Sequence, residues 1–152
     1  MKINDLLSLL KSNRENLESL LRAIEEQKKS LIKNDNKLIE DAITKEEKLL
    51  NQISGQQSKI LVLLKDLSEE LHLNIEGNKY PKLNDIILAV EKNNSNEAKE
   101  LSKIHSAMKE IVNKIDSAMK RNKILIDHSR NFIKETISAL ANPSHPILDR
   151  KV

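Results

Sequence analysis

Between Asn94 and Leu140, the residues Ile104, Met108, Ile111, Ile115, Met119, Ile126, Ile133, Ile137 and Leu140 recur at three-, four- and seven-residue spacing with charges between them. Such a pattern specifies one long amphipathic helix. Whatever else the chain does, it must cover the apolar stripe of a helix of about 47 residues, some 70 Å long at about 1.5 Å per residue. Midway along it, polar Asn122 and Ser129 fall inside the apolar stripe. Function is expected there.

The rest of the chain offers little except more helix. Of 152 residues, only two are Gly and three Pro, so there are few places to turn. The apolar 38% is almost entirely Leu and Ile, with Tyr80 and Phe132 the only aromatics, which suits narrow helix seams better than a thick core. Strand signals are absent: there is no alternating β-branched run and no Asn-Gly turn. The expected fold is therefore all-α, a long antiparallel helical hairpin packed with a third long helix into an elongated coiled-coil-like bundle, with a short helix in the connecting loop and a mobile C-terminal tail.

The first helix is expected over about 2–33, with Ile3, Leu6, Leu10, Leu17, Leu20, Leu21, Ile24, Leu31 and Ile32 on its stripe. Lys33-Asn-Asp-Asn-Lys37 then gathers side chains that compete with the helical backbone, so a turn falls here with Asn34, Asp35 or Asn36 capping the next helix. One uninterrupted helix through residue 72 is the alternative. The second helix, about 36–72, carries Ile39, Ala42, Ile43, Leu49, Leu50, Ile53, Ile60, Leu63, Leu64, Leu67 and Leu71. Gly55 interrupts it at a cost of roughly 1 kcal/mol against Ala. Because Ile53 and Ile60 stay in phase, a continuous helix with a soft spot is expected, the polar neighbours of Gly55 facing solvent or a partner.

Residues 72–82 hold the second Gly, the first Pro and the only Tyr, and form the main loop. Pro81 is placed to open a short helix, about 82–92, with Leu83, Ile86, Ile87 and Val90 inward. Asn94 followed by Glu97 resembles a capping box opening the long helix, about 95–141. Asn142-Pro143 ends it, since a residue before proline is pushed out of the α region. Residues 1–141 are read as a single helical domain and 142–152 as a flexible tail carrying the apolar pair Ile147-Leu148.

Composition and motifs exclude most chemistry. The net charge is +3, with 12 basic and 13 acidic side chains in residues 1–72 and 14 and 10 in residues 73–152, far from the clustered basic face of a nucleic-acid binder. Lys120, Arg121 and Lys123 have no interleaved aromatic to stack a base, and no nucleic-acid partner is expected. There is no cysteine, and His72, His105, His128 and His145 lack ligand spacing, so no metal is expected. Neither glycine sits in a phosphate-binding loop. Paired carboxylates such as Glu25-Glu26, Glu46-Glu47 and Glu69-Glu70 lie among basic neighbours as solvated helix surface. The chain is read as no enzyme, with no cofactor. Its start is amphipathic and carries Asp5, unlike a secretory signal, and no apolar stretch approaches the roughly 20 residues needed to span a bilayer. A cytoplasmic location without stable membrane insertion is expected.

What remains is an apolar seam too extensive for its own partners. Met108, Val112, Met119, Ile126, Ile133, Ile137 and Leu140 form one face of the long helix, and Ile104, Ile111, Ile115, Ala118, Leu125 and Phe132 a neighbouring one. The helix outreaches its hairpin arms, which leaves its last turns short of cover, a liability unless another protein's amphipathic helix uses the groove. Completing a three-helix core and offering a groove account for the periodicity equally well. Asn122 and Ser129 tilt the balance toward a partner, because polar groups in a seam fix register and limit self-association. The competing readings are a structural coiled coil that homodimerises through its long helices and a peripheral membrane helix over 119–140.

A long hairpin, a Gly-containing loop and a final helix with Asn122-x-x-Leu125-Ile126-x-x-Ser129-x-x-Phe132-Ile133, ending near Leu140, resembles the FlgN family of flagellar export chaperones over essentially the whole chain. The resemblance implies a cytoplasmic type III export chaperone that binds the C-terminal amphipathic helical segments of hook-filament junction proteins, prevents premature assembly and delivers them to the export gate or associated export ATPase components. It places cargo contact on Met119, Asn122, Leu125, Ile126, Ser129, Phe132, Ile133, Thr136, Ile137 and Leu140. Tails in the family often carry an aromatic that docks on the gate. Here Ile147, Leu148 and Asp149 stand in the comparable place, so either Leu148 substitutes as the apolar anchor or docking uses another surface.

Overall fold

The computed structural model describes residues 2–73 and 81–141, and from Leu125 onward only Asp127 has a described side chain. Four helices account for almost all of this: α1 (Lys2–Lys33), α2 (Asn36–Glu70), α3 (Leu83–Glu91) and α4 (Ser95–Ala141). No strand occurs among the described residues. The all-α hairpin with a third long helix, expected from spacing alone, is the fold observed.

The chain breaks after α1 because two side chains stabilise the break. Asn34 takes a left-handed φ of 54°, and the Asn34 and Asp35 N–H groups donate to the carbonyls of Leu31 and Ser30, closing α1 in a Schellman turn. Asp35 then caps α2, its carboxylate accepting from the backbone N–H groups of Lys37 at 3.1 Å and Leu38 at 3.2 Å. The uninterrupted helix is thereby ruled out. The far end of α2 repeats the motif with His72 at φ 52°, and the His72 and Leu73 N–H groups donate to Glu69 and Ser68. Through Gly55, α2 is continuous.

Pro81 does not open α3. It is buried one position before the N-cap, Lys82, whose backbone N–H donates to the Asp85 carboxylate at 3.1 Å. At the start of α4, Asn94 Oδ1 accepts from the N–H groups of Asn96 and Glu97, but the Glu97 carboxylate accepts from the Asn94 side-chain amide, at 3.1 Å, rather than from its backbone N–H. The backbone N–H that a capping box would use already donates to Val90.

Helix α1 is the centre of the molecule. It packs against α2 on one side and α4 on the other, and among the described residues α2 and α4 make no close backbone approach to each other. Twelve side chains of α1 are buried, as a helix covered on two flanks requires. One cluster at the base joins Ile3, Leu6 and Leu10 to Leu64 and Leu67 of α2, Ile86 and Val90 of α3, and Leu101 and Ile104 of α4. A second joins Leu17, Leu20 and Ile24 to Ile53, Ile115 and Ala118. Helix α2 runs antiparallel to α1, as the Lys2–Glu70 and Lys45–Glu26 ion pairs at its two ends record. Helix α4 runs parallel to α1, meeting its start near Leu101 and its later turns near Asn122.

Two expectations about the stripes fail. Ile32, expected to face inward on α1, is 65% exposed, and Ile43 and Leu50 of α2 are exposed as well. Ile43 and Leu50 lie on α2, whose one long neighbour leaves the edge of its stripe in water, whereas Ile32 stands beside the cleft between α1 and α4 near the end of α1.

Candidate functional site

The candidate surface begins where α4 leaves the core. Of the two apolar faces of α4, the one with Ile104, Ile115 and Ala118 is buried against α1, while Val112, 49% exposed, and Met119, 52% exposed, face outward. Asn122 is the last described side chain of the inward face and is only 3% exposed. Its amide donates to the Ile24 carbonyl at 2.8 Å and to Gln27 Oε1 at 3.2 Å. A buried amide satisfied by one particular turn of the opposing helix is a register pin, since sliding α4 would orphan it.

That pin decides the geometry beyond it. After Ile24, α1 has nine residues left, and after Asn122, α4 has nineteen. Helix α4 therefore outruns α1 by about 15 Å at 1.5 Å per residue. Among the positions expected to contact cargo, the structure puts Met119 on the outward face and Asn122 in the α1 interface. The side chains of Leu125, Ile126, Ser129, Phe132, Ile133, Thr136, Ile137 and Leu140 lie outside the described residues, as do Ile147, Leu148 and Asp149 entirely.

Two clefts flank the upper part of α1. Between α1 and α4, a cleft of about 340 Å³ has a floor of Ile24, Ala118 and Asn122, with Ile32 at its lip and Glu25, Lys28, Lys29 and Arg121 around its rim. Between α1 and α2, a larger one of about 530 Å³ holds Leu38 and Ala42. There Lys45 pairs with Glu26 at 3.3 Å, and Lys29, which borders both clefts, is offset in number by Asp41, so this rim carries no surplus of either sign. Only the first cleft adjoins the face of α4 that runs on past the pin.

Sequence reasoning missed a polar clasp lower in the hairpin. Gln56, the residue after Gly55, accepts from the side-chain amides of Asn13 at 2.9 Å and Asn16 at 3.0 Å and donates to Ser12 Oγ at 2.9 Å. Asn13 is 2% exposed, so its partner is obligatory. The signal was present in Asn13, which falls within the α1 stripe, but its partner was not identifiable without the hairpin register.

The sequence matches the FlgN protein family over residues 1–146. The chain belongs to the FlgN family. This family comprises flagellar export chaperones rather than enzymes, and membership in it supports that general role for the chain. No curated protein and no solved structure matches the chain. Among the described residues, no helix is long and apolar enough to cross a membrane.

Proposed function

We propose that this FlgN-family protein is a cytoplasmic chaperone of type III flagellar export that holds the C-terminal amphipathic helical segments of hook-filament junction proteins along the second half of α4. The observation that supports this is the register of α4 on α1. Pinned at Asn122, α4 extends past the end of its only long partner among the described residues, and Ile126, Ile133 and Leu140 continue the seven-residue spacing of exposed Met119.

A filament subunit's terminal helix is apolar on one face because its neighbours cover that face after assembly. Before export the same face invites aggregation, and a helical surface with an apolar stripe covers it for a time. Ordering the segment costs about 2–5 kcal/mol of the gross contact energy, which keeps the complex reversible enough for transfer to the export gate or associated ATPase components. Residues 142–152, with Ile147, Leu148 and Asp149, serve docking at the gate in this proposal.

Calorimetry against C-terminal fragments of hook-filament junction proteins tests it. Binding should be lost in Ile126→Asp and in Ile133→Asp while helicity persists, and wild-type affinity in both variants would sink the groove. Sedimentation should show a monomer without cargo; a dimer insensitive to dilution would favour self-pairing of the long helices instead. Deleting 142–152 should spare cargo binding and impair secretion.

A further inference from the structure

The α1–α4 cleft has a chemical bias that the apolar stripe alone does not predict. Its floor is apolar and small, with Ala118 on the α4 side and Ile24 on the α1 side, and Ile32 stands exposed at its lip. Around this floor are three cations, Lys28, Lys29 and Arg121, against one carboxylate, Glu25. None of these four makes an ion pair among the described residues, whereas Lys120, next to Arg121, pairs with Asp116, and Glu26, next to Glu25, pairs with Lys45 of α2. An unmatched positive rim around an apolar floor favours a ligand that is apolar in the centre and negative at its edges.

The cleft's volume of about 340 Å³ is near the lower end of the roughly 300–1,000 Å³ range of binding pockets. It takes one or two large side chains, not a whole helix. Asn122 lines it and is the last described inward side chain of α4, so a helix lying back along the later turns of α4 reaches the cleft with one end. We infer that this cleft seats one end of a partner's amphipathic helix, inserting an aliphatic or aromatic anchor onto Ile24 and Ala118 while carboxylates flanking that anchor pair with Lys28, Lys29 and Arg121. This rests on the proposed cargo surface and adds to it a rule of selection: cargo segments bearing Asp or Glu beside the anchor are preferred over those bearing Lys or Arg.

The test uses the full chain and C-terminal segments of hook-filament junction proteins, each made also with Lys in place of its Asp and Glu residues. Lys28→Glu/Lys29→Glu/Arg121→Glu should weaken binding of the native segment by about tenfold or more at low salt, the sum expected of several solvent-accessible ion pairs. Raising salt should shrink the difference, and the Lys-substituted segment should bind the variant better than it binds wild type. Circular dichroism checks that the variant keeps its helices, and a triple Gln variant with an intermediate loss guards against a folding artefact. Equal affinity of wild type and charge variants overturns the inference while leaving the cargo surface standing, provided Ile126→Asp still abolishes binding. If Ile126→Asp binds normally too, both fail. Co-sedimentation of wild type, but not the charge variants, with phosphatidylglycerol vesicles while the segments bind both alike would assign the rim to a membrane and overturn it as well.

Discussion

The side-chain amide of Asn122 donates to the backbone carbonyl of Ile24 over 2.8 Å, in an interface where both residues are 3% exposed. One amide thus ties a turn of α4 to a turn of α1. Because Gln27 accepts a second bond from the same nitrogen, the tie is specific to a single register. It sets where the remaining helical turns of α4, up to Ala141, run relative to the end of α1.

Asn122→Ala should cost about 1–3 kcal/mol, since it strips buried Gln27 of its partner. Replacing both Asn122 and Gln27 by Leu should be close to neutral or stabilising, because no buried polar group is then orphaned. Urea unfolding of Asn122→Leu, Gln27→Leu and the double Leu variant measures the coupling, expected at about 0.5–3 kcal/mol. Additive losses would mean that the pair is not a unit.

Gly55 and Gln56 stand side by side on α2 and should respond in opposite directions. A Cβ at Gly55 would meet nothing within 4 Å, so Gly55→Ala should stabilise by about 0.5–1 kcal/mol through helix propensity. Gln56→Ala removes the clasp on Ser12, Asn13 and Asn16 and should destabilise by about 1–3 kcal/mol, with the buried Asn13 amide left unpaired. Hydrogen exchange across the middle of α2 should slow in the first variant and quicken in the second.

How much of this was legible in the sequence depends on what kind of information each residue carries. Period and capping are local, so the four helices could be read directly, the spacing narrows the α2 cap to Asn34, Asp35 or Asn36, and Asn94 does pair with Glu97, though not in the capping-box bonds expected of them. Which face of α4 turns inward could not. Ile104, Ile115 and Ala118 differ from Val112 and Met119 in direction, not in chemistry, and only the parallel register on α1 separates them. Asn122 shows the same limit. A polar residue in an apolar stripe announces a special role, but whether its amide serves a partner or the chain's own backbone is settled by what lies opposite. The Asn34 and His72 turns sit between these extremes, since both residue types are enriched at positive φ but only asparagine has the short side chain that bonds locally to support it.

The two Schellman turns therefore predict an asymmetry. His72 holds a left-handed φ of 52° with a full side chain, at a cost of roughly 1–2 kcal/mol that glycine would not bear. His72→Gly should stabilise by about 0.5–1 kcal/mol, after the greater freedom of glycine in the unfolded chain is deducted. Asn34→Gly should change stability by only a few tenths of a kcal/mol, because asparagine already tolerates that region. Paired thermal melts of the two variants distinguish the turns.

Among the described residues, Glu46 and His105 make stability depend on pH with opposite slopes. Burial raises the pKa of Glu46 above its ordinary 4.5, and one of its carboxylate oxygens has no hydrogen-bond partner. From 4.5 up to its raised value, the folded state keeps a proton that the unfolded chain has released, so this group's contribution falls as pH rises through that window. Burial, reinforced by Lys109, lowers the pKa of His105 below its ordinary 6.5. Its contribution is complete above 6.5 and is lost as pH falls toward the lowered value, where the unfolded chain binds the proton first. Urea midpoints across this range should show a flattened acid-side slope and greater neutral stability in Glu46→Gln, and in His105→Gln a weaker decline just below 6.5.

Truncation separates the strut from the surface it supports. On the register set by Asn122 and Ile24, α1 ends opposite roughly residue 130 of α4, counting one residue for one along parallel helices. Both described core clusters, which reach up α4 only as far as Ala118, lie before that point. A chain ending at residue 130 should thus keep its cooperative unfolding and lose no more than about 1 kcal/mol, the scale of changes made outside a core. Its affinity for C-terminal segments of hook-filament junction proteins should fall below detection by calorimetry. Large destabilisation would show that the later turns of α4 belong to the core, and retained affinity would move the cargo surface back onto the turns before Asn122.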